Sequence, residues 1–341
     1  MRQATAKEKT PSHKPQAAQA EEAESELHTV HASAPPVTFR YSGHGTFPCR
    51  YTWLPKVVRR LLTQPTLFED EDDAMMRLGV GKNMVRAIKF WAESAGVINQ
   101  ISNRGNAYEV THFGQRVFGP GGFDEYLEDI QTLWLIHWNL STRVHEAPFA
   151  WYYLINHWHR TDFTKPEVLA AFEQETRRED RVLSPVTLDE HCSIFIRCYV
   201  TPMGGKQAED ALDCPLNELG LLEEIGERPD ADSGRREPIY AFRVEDKGDL
   251  SPALFTYCLH DFWATRHANE KTLAARQIAG GVGSPGQVFK LPEHTVRERL
   301  ETIGRDSLGV FEYQESASIQ QVTRRSVPNS DTLLRRVYGV R

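Results

Sequence analysis

Apolar side chains recur at three- and four-residue spacing in three successive stretches early in the chain. The pattern predicts a helix near Leu54–Leu62, a turn at Gln64-Pro65-Thr66, and a second helix whose first turn holds the acidic run Asp70–Asp73, where the helix dipole favours negative charge. Ala74, Met75 and Leu78 form the apolar side of that helix. After Gly79-Val80-Gly81 a third helix is expected over Lys82–Ser94, with Val85, Ile88 and Trp91/Ala92 facing the core. Gly96 suits the left-handed position that ends it. The pattern then changes to two strand-like runs, Val97–Ile101 and Ala107–Thr111, around the turn Ser102-Asn-Arg-Gly-Asn106. Two helices, a three-residue turn and a hairpin follow the plan of a winged helix-turn-helix.

The rest of the chain repeats this syntax loosely. Residues 123–180 are helical and aromatic, and Trp134, Trp138, Trp151, Tyr152 and Trp158 are expected in a helix-packing core. Capping boxes are expected at Thr164-Lys-Pro-Glu167 and Thr187-Leu-Asp-Glu190, each opening a helix. A short helix at Pro215–Leu219 stops at Gly220, and Leu221–Ile225 is expected to pair with Ile239–Val244. Farther on come helices at Ser251–His267, Leu273–Ala279 and His294–Ile303, the last stopped by Gly304. A final hairpin joins Gly309–Tyr313 to Ile319–Thr323. The expected fold is therefore mainly α with small β-hairpins (α+β), with two or three winged helix-turn-helix-like modules around a central helical region. The expected domains are a disordered tail at 1–36, poor in large apolar residues, an N-terminal winged domain at 37–120, an acidic aromatic-rich helical domain at 121–250 with a degenerate winged unit, and a C-terminal winged-like domain at 251–341.

Charge divides along the same lines. The formal net charge of the 341 residues is −7, yet residues 37–120 carry 11 basic against 7 acidic groups, residues 121–270 carry 14 against 28, and residues 271–341 carry 11 against 7. Two basic ends flank an acidic middle, which points to an anionic partner for the ends and a protein-facing role for the centre. No run of apolar residues is long enough to span a membrane, and the N-terminus lacks the apolar core of a secretory signal. The five cysteines are scattered, with no C-x-x-C pair, so a cytoplasmic protein is expected, with neither a disulfide framework nor a zinc ribbon.

These features nominate candidate residues. Lys82, Asn83, Arg86 and Lys89 are the polar positions of the third helix, and Asn83 and Arg86 are best placed for base edges of double-stranded DNA. Arg104 sits at the expected wing tip, in reach of a phosphate or the minor groove. Arg297 with Arg324 and Arg325 could form a second, phosphate-positioning patch. The loop Ser42-Gly-His-Gly-Thr-Phe-Pro-Cys-Arg50 offers Ser42, His44, Thr46 and Arg50 to an anion or nucleotide, or serves as a tight turn. His137, His145, His157 and His159 lie close in sequence, but the spacing of His157 and His159 sends them to different sides of a helix, so no metal site is expected. There is no Walker A pattern, since Gly280-Gly-Val-Gly-Ser-Pro-Gly286 lacks the Lys-Ser/Thr that contacts phosphate and magnesium and reads as a loop. No dinucleotide, zinc-protease or nucleophile-elbow motif occurs, and neither a cofactor nor catalytic residues are expected.

The set Phe39-x-x-Ser-Gly-His44-x-Thr-Phe-Pro-x-Arg50-x-x-Trp-Leu-x-Lys56, Leu78-Gly-Val-Gly-Lys-Asn-Met-Val-Arg86, Tyr126-Leu-Glu-Asp129, Thr132-Leu-Trp134 with His137-Trp138, Leu216-x-Glu-Leu-Gly220 and Ser284-Pro-Gly-x-Val-Phe-Lys-Leu291 resembles the bacterial "domain of unknown function 4007" family over about residues 38–325. That family is commonly encoded beside DNA sulfur-modification (phosphorothioation) genes. The resemblance implies a role in a DNA-modification or phage-defence cluster and supplies no catalytic residues. Three functions stay open at this point: a DNA-binding accessory or regulatory protein, a protein-interaction adaptor that does not bind DNA, and a nucleotide sensor or enzyme using the Ser42–Arg50 loop.

Overall fold

The early helices form where the periodicity places them: α1 at Trp53–Thr63, α2 at Glu71–Leu78 and α3 at Lys82–Ser94. The structure, a computed structural model, describes residues 36–101, 105, 107–200, 214–230, 233–316 and 319–340. The tail expected at 1–36 lies outside the described residues apart from Pro36, and so does Arg104. The described residues belong to one compact unit.

Local chemistry explains the boundaries. The Asp70 carboxylate caps α2 by accepting from the backbone N–H groups of Asp72 and Asp73. Gly79 ends that helix at φ 65°, and its N–H and that of Val80 both donate to the Met75 carbonyl. Gly96, at φ 71°, reverses the chain after α3 into the antiparallel pair β2 (Ile98–Gln100) and β3 (Tyr108–Val110). Short helix α4 (His112–Phe118) then lays Gly114 against the Val97 carbonyl, where an added Cβ would lie 2.3 Å from the oxygen.

The centre is built from helices that are apolar nearly all round, as buried helices are. These are α5 (Ile130–Thr142), α6 (Phe149–Asn156), α8 (Pro185–Tyr199) and α9 (Pro252–Arg266); α7 (Lys165–Arg178) lies before α8. Trp134, Trp138, Trp151, Tyr152 and Trp158 are all buried, as expected. Two short strands, β1 (Phe39–Arg40) and β4 (Ala147–Pro148), pair in parallel and tie the N-terminal segment to this core. A chain of buried hydrogen bonds joins the layers. Trp151 Nε1 donates to the Tyr199 hydroxyl at 3.1 Å, that hydroxyl donates to His137 Nδ1 at 2.6 Å, and His137 Nε2 donates to the Val288 carbonyl at 3.0 Å. Every member is satisfied, so a fully buried histidine serves packing.

Two three-stranded sheets share one plan. In the first, β5 (Asp162–Thr164) precedes α7 and α8, and the hairpin β6 (Leu222–Pro229)–β7 (Arg236–Phe242) follows, in the order β5-β7-β6. In the second, β8 (Thr272–Ala274) precedes α10 (Ala275–Gly280), α11 (Pro285–Val288), α12 (Glu293–Glu301) and α13 (Ile303–Asp306). The hairpin β9 (Phe311–Glu315)–β10 (Gln320–Arg324) completes the order β8-β10-β9. Helix α14 (Ser330–Val337) packs back on α9. The fold is thus α+β, largely helical with sheets of two or three strands.

Four local expectations need correction. No capping box forms at Thr187, because Ser184 caps α8 three residues earlier and Pro185 fits the first helical position. Residues 272–274 pair with β10 and are strand, so the helix expected at Leu273–Ala279 is split. Gly304 does not stop a helix; it lies within α13, and the reversal falls on Gly309 at φ 80°. The Gly280–Gly286 stretch is not wholly loop, since Ser284 caps α11 there.

Candidate nucleic-acid interface

Helix α3 buries Val85, Ile88 and Trp91, which turns Lys82, Asn83 and Arg86 outward on its first turns. Its entry is the glycine turn 79–81, which lets α2 and α3 pack side by side. That packing has an electrostatic consequence. Glu71, in the first turn of α2, receives both cations: Lys82 Nζ at 2.5 Å and Arg86 Nε at 2.8 Å. The hydrogen bond from Lys82, then that from Arg86, holds the Glu71 carboxyl below the usual carboxylate range. Lys89 is half-buried over the Tyr108 ring at 5.5 Å, and this burial lowers its pKa. Its ammonium lies against the hairpin tyrosine, while Lys82, Asn83 and Arg86 are the exposed positions of this face. At the hairpin tip, Gln100 Nε2 donates to the Gly105 carbonyl.

The C-terminal candidates are each held by a different partner. Arg297 is exposed, 3.8 Å from Glu301, and lines a cavity of about 260 Å³ with Glu293, His294 and Gln320. Arg324 lies over Trp263 and donates to the Ala268 carbonyl at 2.7 Å, while Arg325 pairs with Glu312.

The Ser42–Arg50 loop turns its imidazole inward. His44 Nδ1 donates to the Gly45 carbonyl at 2.6 Å, which leaves Nε2 to accept from His191 Nδ1 at 2.5 Å. Burial pushes the His44 pKa down to about 4 and that of His191 well below its usual value, so neither imidazole brings charge to an anion at neutral pH. Backbone carbonyls of Ser42, Thr46 and Phe47 accept from Arg40, Arg197 and Trp91, and Gly43 at φ 124° sits where a Cβ would lie 2.9 Å from Phe90. These contacts fasten the loop to the helices, although Ser42 and Thr46 remain exposed. Among the described residues no three His, Cys, Asp or Glu side chains converge as a metal site would require. No helix among them is long and apolar enough to cross a membrane.

Sequence reading missed a second basic feature. Lys56, Arg59 and Arg60 line a groove of about 430 Å³ with Thr52, Thr63 and Tyr126. The three cations were legible as one face of α1; their meeting with Tyr126 was not.

Two solved structures of SspB share the fold at 23% identity each. One, with bound magnesium ion, has a TM-score of 0.76 and covers 90% of this chain and 88% of its own. The other has a TM-score of 0.75 and covers 90% and 89%. No curated protein matches the chain. The family described as "protein of unknown function (DUF4007)" matches residues 41–338, nearly the whole described fold, and the chain belongs to that family.

Proposed function

We propose that this protein is a DNA-binding accessory or regulatory component of a bacterial DNA sulfur-modification or phage-defence system. The observation that carries the reading is α3 itself. It follows a tight glycine turn, precedes a two-stranded hairpin, and exposes Lys82, Asn83 and Arg86 together. In a winged helix-turn-helix that helix enters the major groove, where arginine reads guanine and asparagine reads adenine by paired hydrogen bonds. Arg104 would then reach the backbone from the hairpin tip. Family membership and the SspB-like fold are consistent with a role beside DNA-modification proteins. The magnesium of the SspB structure is not carried over, because the described residues offer no converging carboxylate set.

In this reading phosphate competes with Glu71 for Lys82 and Arg86, so the resting ion pairs set the affinity. The acidic middle repels DNA and faces protein instead. Strand β6 exposes Glu223, Glu224 and Glu227 at a sheet edge, which disfavours both edge pairing and phosphate. The test is duplex binding over a range of salt for the wild type and Lys82→Gln/Arg86→Gln. The expected result is weaker binding and a shallower salt dependence in the double variant. Equal affinity in both proteins, or no salt dependence in either, overturns the proposal.

A further inference from the structure

The groove along α1 differs from the α3 face in what its cations touch. Lys56 Nζ donates to a backbone carbonyl, that of Leu78, at 3.2 Å. Arg59 donates to the Glu125 carbonyl at 2.9 Å, with the Glu125 carboxylate 4.0 Å away. That carboxylate is itself held by the Gly121 N–H at 2.7 Å. Exposed Arg60 makes no side-chain hydrogen bond or ion pair among the described residues. Of these three cations only Arg59 has a carboxylate in reach, at the limit of ion-pair range among the described residues, whereas on α3 two cations are bound closely to Glu71.

An aromatic ring completes the groove. Tyr126 is 62% exposed, unusual for so large a side chain, and the Arg59 guanidinium lies 4.6 Å from its ring centre. A guanidinium stacked on an exposed tyrosine, flanked by further cations, offers a flat apolar surface beside a phosphate track. This combination suits an unpaired nucleotide, whose base stacks while its phosphates meet the cations. In a duplex the bases are already stacked on each other, and Tyr126 would have nothing to receive. The Leu78 carbonyl that fixes Lys56 belongs to the last residue of α2, so the groove adjoins the helix pair assigned to duplex DNA.

We infer that the α1 groove binds single-stranded nucleic acid, with Lys56, Arg59 and Arg60 on consecutive phosphates and Tyr126 under a base. The inference extends the DNA-binding reading but uses a different surface, so the two can fail separately.

The experiment measures fluorescence anisotropy of the full chain with a labelled oligothymidylate strand and, in parallel, a labelled blunt duplex, each over a salt series. The variants are Arg59→Gln/Arg60→Gln, Arg60→Gln alone, Tyr126→Ala and Lys82→Gln/Arg86→Gln. For the single strand, the arginine double variant should lose about tenfold in affinity and about 1.4 in the log–log salt slope, since each single-strand phosphate contact contributes about 0.7. Tyr126→Ala should weaken the single strand about tenfold and leave the duplex unchanged. Arg60 has no side-chain partner to lose among the described residues, so Arg60→Gln keeps the test valid if the double variant is poorly folded. It should lower the slope by about 0.7. Wild-type affinity and slope for the strand in the Arg60 and Tyr126 variants overturn the inference. If the duplex then still depends on Lys82 and Arg86, the proposed function stands without it. A strand lost only through Lys82→Gln/Arg86→Gln also overturns it, and a chain that binds neither probe overturns both.

Discussion

Acid should unfold this protein early, and the buried histidines set the size of the effect. His44 and His137 are pushed to about 4 by burial, and burial holds His191 well below the usual imidazole value. In the unfolded chain each returns to about 6.5. The unfolded state therefore binds protons that the folded state refuses, and stability falls as pH drops from about 6.5 towards 4. At about 1.36 kcal/mol per pH unit, His44 and His137 each remove about 3.4 kcal/mol across that window. His191 adds to the loss in the same direction. Asp261 opposes them: burial raises its pKa, so the folded state holds a proton that the unfolded carboxyl has released. His44 and His137 alone give an uptake of about two protons on unfolding near pH 5, or about 2.7 kcal/mol per pH unit. A total loss near 7 kcal/mol is large against the 5–15 kcal/mol typical of folded proteins. Urea titrations at a series of pH values between about 7 and 4.5 measure this slope directly. His137→Gln should lower stability at neutral pH, because the Tyr199–His137–Val288 chain is cut, yet flatten the pH slope by about one proton. A flat profile in the wild type, or an unchanged slope in His137→Gln, would refute the reasoning.

Three further outcomes are expected. Glu71→Gln releases Lys82 and Arg86, so duplex affinity should rise several-fold and its salt dependence steepen; an unchanged affinity would show that these cations do not meet phosphate. Gly114→Ala forces a methyl against the Val97 carbonyl and should cost about 1–3 kcal/mol in urea unfolding, whereas Gly81→Ala, with open space around it, should cost far less. Lys290, buried over Phe242 and donating to the Ile155 carbonyl, has its pKa lowered to about 7 by burial. Its unfolded counterpart keeps the proton up to about 10.4, so stability should rise by about 2 kcal/mol between pH 7 and 8.5. Lys290→Met should remove most of that rise, and a Met variant that keeps it would assign the effect elsewhere.

The N-terminal elements were legible because their signals are local. Periodic Val85, Ile88 and Trp91, the glycines at 79 and 96, and the strand runs around 98–100 and 108–110 each act within a few residues. The misread places depended on distant partners. Residues 272–274 are strand because β10 lies beside them, fifty residues away in sequence. The start of α8 was set by competition between two capping residues, Ser184 and Thr187, which single-sequence spacing does not resolve.

By itself the sequence determined the helical class, the buried aromatic centre, the division of charge into basic ends and an acidic middle, and the family. All of these follow from which residues are apolar, charged or glycine, and in what order. Only the tertiary structure decided which charges are available. Glu71 and Lys82 are eleven positions apart, and their meeting follows from the packing of α2 on α3. Tyr126 reaches Arg59 across a gap of 67 positions, and His44 reaches His191 across 147. Ion pairing and burial change the usable charge of a side chain within a few ångströms, and those distances are set by packing rather than by spacing along the chain.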